Sequence, residues 1–308
     1  MIKNIFLILF FLNSFIGRSQ QLLQKIDDAA AIIAQDLEAS LAGVKEPVRI
    51  TNFTFEDKKM CSVFSNYFTL AVEAKLINDK LISISSRTQN IMLDDSKKAE
   101  EYILKGTYQD TGKSLKIVAK VCKGNNTIAM ETVWLSKTEL EKQSLSYKPD
   151  NFTLALANEN IFLKEEVMPS PDLKIDIITN KGNDNLIFEK DDILNLFVKT
   201  NKECYIRVIY YLADGQKVLL IDNMKITSEI INKYYQIPEI FQCSAPFGVE
   251  TLQLLAQSEP FNKLQTQSRS GKLFIIEDTG EMVQNLRKEM KKQTESAEQR
   301  LSLTKVGK

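Results

Sequence analysis

Between Leu115 and Cys122 the chain alternates strictly, with Leu115, Ile117, Ala119 and Val121 on one side and Lys116, Val118, Lys120 and Cys122 on the other. A period of two sends successive side chains to opposite faces of a strand, so this block commits the chain to a sheet with one buried face. Lys123-Gly124-Asn125-Asn126 supplies turn residues, and Thr127 to Leu135 returns as the antiparallel partner, carrying the only tryptophan, Trp134.

The segments before the hairpin supply helices to cover that face. Leu22, Leu23, Ile26, Ala30, Ile33, Leu37 and Leu41 recur at three- and four-residue steps, and Gly43 ends the pattern. Val48 to Phe55 is extended. Over 59–78, Phe64, Tyr67, Phe68, Ala71, Ala74 and Ile77 predict a second helix with an aromatic core face. Leu81 to Ser85 reads as a strand, and a short helix over 97–101 leads into a strand from Tyr102 to Tyr108. Helices on one side of a sheet make a small α/β sandwich.

Residues 141–171 read as a polar connector punctuated by Pro149, Pro169 and Pro171. Beyond it, alternation returns in Leu173–Ile177, Leu194–Val198 and Tyr205–Tyr211. Ala213-Asp214-Gly215-Gln216 turns the last of these into Lys217–Ile221, and Val249–Ala256 and Leu273–Glu277 add strands. Short strands at this spacing predict an all-β immunoglobulin-like sandwich. Met282, Leu286 and Met290 at four-residue steps predict a charged C-terminal helix over 280–300, with Leu301 and Leu303 as a last short strand. The expected plan is α+β: leader 1–20, α/β domain 21–145, linker 146–168, and sandwich plus C-terminal helix 169–308.

The leader is an export signal by its pattern. Lys3 precedes the apolar run Ile5–Leu12, loosely continued by Phe15 and Ile16, and a polar exit begins at Gly17. That run suits a signal peptide and is too short to span a membrane, which takes ~20 apolar residues. The expected location is therefore periplasmic or outer-membrane-associated, with no transmembrane segment after cleavage.

Composition narrows the chemistry. The chain has 308 residues, 40 basic and 40 acidic side chains, and no histidine. Without imidazole there is no Ser-His-Asp or Cys-His catalysis and no histidine-bound zinc. Charge balance without a basic excess argues against nucleic acid as a partner. No cofactor or metal site is expected. Asp184, Glu189, Asp191 and Asp192 are the densest acidic group, but they lack calcium-loop spacing and read as a solvated turn. Cys61, Cys122, Cys204 and Cys243 suit an oxidising compartment, and domain logic favours pairing Cys61 with Cys122 and Cys204 with Cys243; buried free thiols are the alternative. Gly248 and Glu250 are the candidate binding-turn residues, read as a special backbone turn with a local cap or ion pair.

Two resemblances sharpen the expectation. VRITNFTFED, SVFSNYFTLAVEAKL, LISISSR and the segment A-x-x-Y-I-L-x-G-T-Y (Ala99, Tyr102, Ile103, Leu104, Gly106, Thr107, Tyr108) resemble the FlgO/CsgG-like family over roughly residues 45–140. That resemblance implies an anticodon-binding-like core and a role in outer-membrane, secretion or motility machinery; the family's lipid-anchor cysteine is absent here. The second half, with CYIRVIYYLADGQKVLLIDN and Ala245–Glu250 (APFGVE), resembles a bacterial β-sandwich domain of unknown function often fused behind caspase-like peptidases. That family carries no assigned catalytic residues. The function expected is a non-catalytic binding or assembly module with envelope or secretion-system partners and a potential to self-associate. The alternatives are a curli-channel-like pore subunit or a histidine-free hydrolase. The pore needs longer amphipathic strands than any but the 115–135 hairpin, and no G-x-S-x-G motif, Gly-rich phosphate loop or zinc spacing is present.

Overall fold

The computed structural model describes residues 22–23, 25–41, 44, 46–78, 84–85, 101–164 and 170–307. The leader 1–20, Gly43 and residues 97–100 of the expected short helix lie outside them. The described elements form an α+β chain built on mixed sheets.

The first half runs β1 (Leu22–Leu23), α1 (Ile26–Ser40), β2 (Val48–Ile50), β3 (Thr54–Phe55), α2 (Val63–Asn78), β4 (Ile84–Ser85), β5 (Tyr102–Asp110), β6 (Ser114–Lys123) and β7 (Asn126–Ser136). These strands form one sheet in the order β1-β7-β6-β5-β2-β4, with β3 paired to β5. β5, β6 and β7 are antiparallel, while β2 runs parallel to β5 and β1 parallel to β7. The hairpin takes the register set by its alternation: Leu115 faces Leu135, Ile117 faces Val133, and the lysines point away from the core. Helices α1 and α2 bury Ile26, Ile33, Leu37, Phe64, Phe68, Val72 and Leu76 against that inner face.

The aromatic face of α2 differs from the periodic reading. Phe64, Phe68, Val72 and Leu76 point inward, whereas Tyr67 and Ile77 are exposed. The helix is apolar on more than one side, so periodicity alone did not single out the buried stripe. Phe53 packs edge-on against Phe68, with centroids 5.1 Å apart. Its ring lies over Gly106, where an added Cβ would sit 2.1 Å from a ring carbon. The glycine in the middle of β5 is thus a space for Phe53.

The expected connector contains two helices, α3 (Lys137–Lys142) and α4 (Phe152–Leu163). Ser136 caps α3 by accepting from the Thr138 amide. The second half then runs β8 (Ile175–Thr179), β9 (Leu186–Glu189), β10 (Ile193–Leu194), β11 (Leu196–Thr200), β12 (Cys204–Tyr211), β13 (Lys217–Ile226), β14 (Tyr235–Gln236), β15 (Phe241–Gln242), β16 (Gly248–Gln257), β17 (Thr266–Arg269), β18 (Lys272–Ile275), α5 (Thr279–Met290) and β19 (Ser296–Val306). The large sheet is ordered β17-β18-β13-β12-β16-β19-β9, the small one β14-β11-β8, and β10 and β15 make a two-stranded ribbon.

This corrects the expected fold class. The chain does not end on a helix: α5 stops at Met290 and the eleven-residue strand β19 follows. Nor is the second half all-β. One face of β12 (Ile206, Val208, Tyr210) packs in the core shared with the small sheet, and the other (Ile209, Tyr211) packs under α4 and α5. β19 pairs antiparallel with β16 and parallel with β9, so the sheet is mixed. The physical reason is that β12 and β16 are buried on both faces and need cover on each.

The arginine that α5 buries is well partnered. Arg287 on α5 is 1% exposed and donates to both Glu298 oxygens at 2.9 Å and to the Phe162 carbonyl at 2.9 Å. Gln253 on β16 links Glu298 to the Tyr211 hydroxyl. A buried charge needs such partners, because losing one leaves the other uncompensated. No helix among the described residues is long and apolar enough to cross a membrane.

Candidate functional site

The two halves meet at the end of β2. Its alternation puts Val48 and Ile50 into the core and Arg49 outward. Just beyond, Asn52 donates its side-chain amide to the Asn185 carbonyl at 2.7 Å, and Asn185 returns the bond to the Asn52 carbonyl at 3.0 Å. Asn185 sits at φ +47°, a conformation that asparagine tolerates better than most residues. Nearby, the Cys61 amide donates to Thr304 on β19 at 3.1 Å, and Cys61 packs with Ile187 and Val306. Backbone-directed bonds of this kind hold the halves in one register.

Beside this junction lies a cleft of about 670 Å³. One wall comes from β2, the start of β5 and the first turns of α2; the other comes from the turn 181–184 and β9, with Ile178, Leu186 and Leu301 among the apolar lining. Arg49 donates to both Glu101 oxygens at 3.1 Å and approaches Asp184 at 4.0 Å. Asn66 on α2 donates to Glu189 at 2.9 Å. Lys181 bonds Asp192 at 2.6 Å and lies 4.7 Å from the Phe188 ring centroid. The cleft therefore alternates paired charges of both signs with apolar patches, and these pairs can exchange partners with an incoming polar chain.

Of the acidic group, Asp184 and Glu189 line this wall, while Asp191 and Asp192 do not. Asp184, Glu189 and Asp192 are met by Arg49, Asn66 and Lys181 respectively, and among the described residues no three acidic or thiol groups gather as a metal site. Sequence reasoning passed over Arg49, Asn52 and Asn66. An outward arginine on a short strand carries no signal until the opposite wall is known.

Gly248 and Glu250 lie elsewhere, at the start of β16. Glu250 is 1% exposed, accepts from the Tyr210 hydroxyl and from the Ala213 amide at 3.1 Å, and pairs with Lys305 at 2.8 Å. Burial pushes its carboxyl up from the usual range, against the pull of Lys305. Gly248, at φ +137°, lies against the Asn151 side chain. Asn151 in turn donates to the Ala213 and Val249 carbonyls, both at 2.9 Å, and accepts from the Val249 amide at 2.7 Å. This knot pins α4 to the second half and is closed to a ligand.

Cys61, Cys122, Cys204 and Cys243 are all buried as free thiols. Cys204 and Cys243 share one core cluster. Cys61 lies at the junction cluster, while Cys122 sits on β6 next to Thr127.

No protein-family model matches the chain, and no curated protein matches it.

Proposed function

We propose that this chain is an exported, non-catalytic binding or assembly module of the cell envelope, serving outer-membrane, secretion or motility machinery, and that the cleft at the junction of its halves receives an extended segment of a partner protein. One observation carries the reading: most of the charged groups lining the cleft already have side-chain partners, as Arg49 has Glu101 and Lys181 has Asp192. Such a surface offers interchangeable hydrogen-bonding partners over an apolar base, which suits recognition. The FlgO/CsgG-like resemblance of the first half and the leader 1–20 support placing that recognition at the envelope.

The test joins location to contact. The full chain is produced in a bacterial host with a photo-crosslinking amino acid at Asn183, in the cleft wall, or at Lys174, an exposed position outside it. A processed chain in the envelope fraction, with adducts from the Asn183 position alone, is the expected outcome. An unprocessed cytosolic chain would sink the export reading, and equal adducts from both positions would sink the cleft.

A further inference from the structure

Among the described residues, the sheet of the first half is covered by helices on its inner side only. On the outer side, the registers place Lys105 directly opposite Lys120, Lys120 opposite Met130, and Lys116 opposite Trp134. Cross-strand neighbours have Cβ atoms ~5 Å apart, so Lys105 and Lys120 stand side by side with like charge, an arrangement that costs stability. Lys116 lies four residues along the same strand, ~13 Å from Lys120. Among the described residues none of these three lysines has an ion-pair or hydrogen-bond partner. No carboxylate occupies an outward position on β5, β6 or β7 between Ile103 and Trp134. The chain as a whole has a net charge of +0, so this concentration of one sign is local.

We infer that the outer face of the β5–β6–β7 sheet is a docking surface for an acidic, extended protein segment. The short side chains Thr107 and Val118 lie between the lysine rows, giving a shallow trough whose rims are positive. Met130, 60% exposed, and Trp134 add apolar contact along β7. The unfavourable Lys105–Lys120 pairing is relieved when carboxylates settle between the two ammonium groups. Three lysines fall short of the ~4–8 basic residues that hold a protein on an anionic membrane. A single half-buried tryptophan is a poor stacking platform for a single-stranded nucleic acid. An acidic peptide therefore fits best. This surface is separate from the junction cleft and does not depend on it.

Trp134 is the only tryptophan, so its emission reports on this face directly. The chain as purified from the host is titrated with hexaglutamate, with phosphatidylglycerol vesicles and with oligothymidylate in parallel arms. Hexaglutamate should give a saturable change in emission that weakens as salt is raised across the Debye-screening range. K105Q/K120Q should weaken it roughly tenfold. K174Q/K272Q, which removes the same charge elsewhere, should leave it unchanged. K105Q/K120Q should also melt no lower than the parent, because the like-charge pair is gone. Equal affinity in parent and K105Q/K120Q, or a response to vesicles or oligothymidylate without one to hexaglutamate, overturns the inference.

Discussion

Asn151 and Gly248 form a two-residue lock whose energetics can be worked from the geometry. Replacing Asn151 with alanine removes two donors and one acceptor that serve the backbones of Ala213 and Val249. Both residues are buried, at 4% and 6% exposure. Leaving a buried backbone group unpaired costs ~1–3 kcal/mol, and partial access of water to Asn151's site lowers the total, so N151A should cost ~2–4 kcal/mol. G248A acts on the same lock from the other side. Its Cβ would lie 2.4 Å from the Asn151 side-chain oxygen, and the backbone is held at φ +137°. Strained backbone alone costs ~1–3 kcal/mol, and expelling the asparagine also forfeits its three bonds. In N151A/G248A the clash has no second partner and the bonds are lost only once. The double variant should therefore be less destabilised than the sum of the singles, by ~1–2 kcal/mol. N151D keeps the size but turns a carboxylate toward two carbonyls, so it should be at least as damaging as N151A. Urea unfolding of the full chain, with m-values compared across the set, measures these differences. Additivity within ~0.5 kcal/mol would refute the claim that the two residues share one lock.

Asp110 gives a pH signature. Burial raises its pKa, but bonds from Lys137, the Gly112 amide and Tyr147 outweigh that and bring it down to about 2 from the model-peptide value of 3.8. A depressed carboxyl contributes stability above its unfolded value, and that contribution is lost as pH falls from ~4 toward ~2. After solvent screening, D110N should cost ~1–2 kcal/mol at pH 7 and almost nothing near pH 2; an equal cost at both pH values would contradict the assignment. The thiols give a second signature: burial pushes Cys204 and Cys243 up to about 11, so Ellman's reagent at pH 8 should not label them in the native chain. All four cysteines should react in denaturant. A count of two, with a linked Cys204–Cys243 peptide, would show that the pairing favoured from sequence forms instead.

What the sequence made legible was the local sheet geometry. The strict alternation from Leu115 to Cys122 fixed which side chains face the helices, and the observed register follows it residue by residue up to the irregularity at Val121/Cys122. Alternation depends only on neighbours along one strand, so it survives without knowledge of the tertiary fold. The connector failed for the opposite reason. Helix α4 carries only Ala155 and Phe162 as buried residues, too few for a visible stripe, and Asn151 anchors it to groups 62 and 98 residues away.

The C-terminal strand shows the same limit in its strongest form. Ser296–Val306 holds Glu298, Gln299, Arg300 and Lys305, a content that reads as a solvated helix when taken alone. In the fold Glu298 is met by Arg287 and Gln253, Gln299 donates to Asp176, and Lys305 pairs with Glu250. The partners come from three other elements, α5, β16 and β8. Charged residues can occupy a strand between β16 and β9 only because distant segments neutralise them there, and no window along the chain contains that information. The outer lysines of β5 and β6 are the converse case, charges that the fold gathers and that no described residue meets. In a chain that answers the buried charges of β19 one by one, an unanswered pair such as Lys105 and Lys120 is best explained by a partner outside the chain.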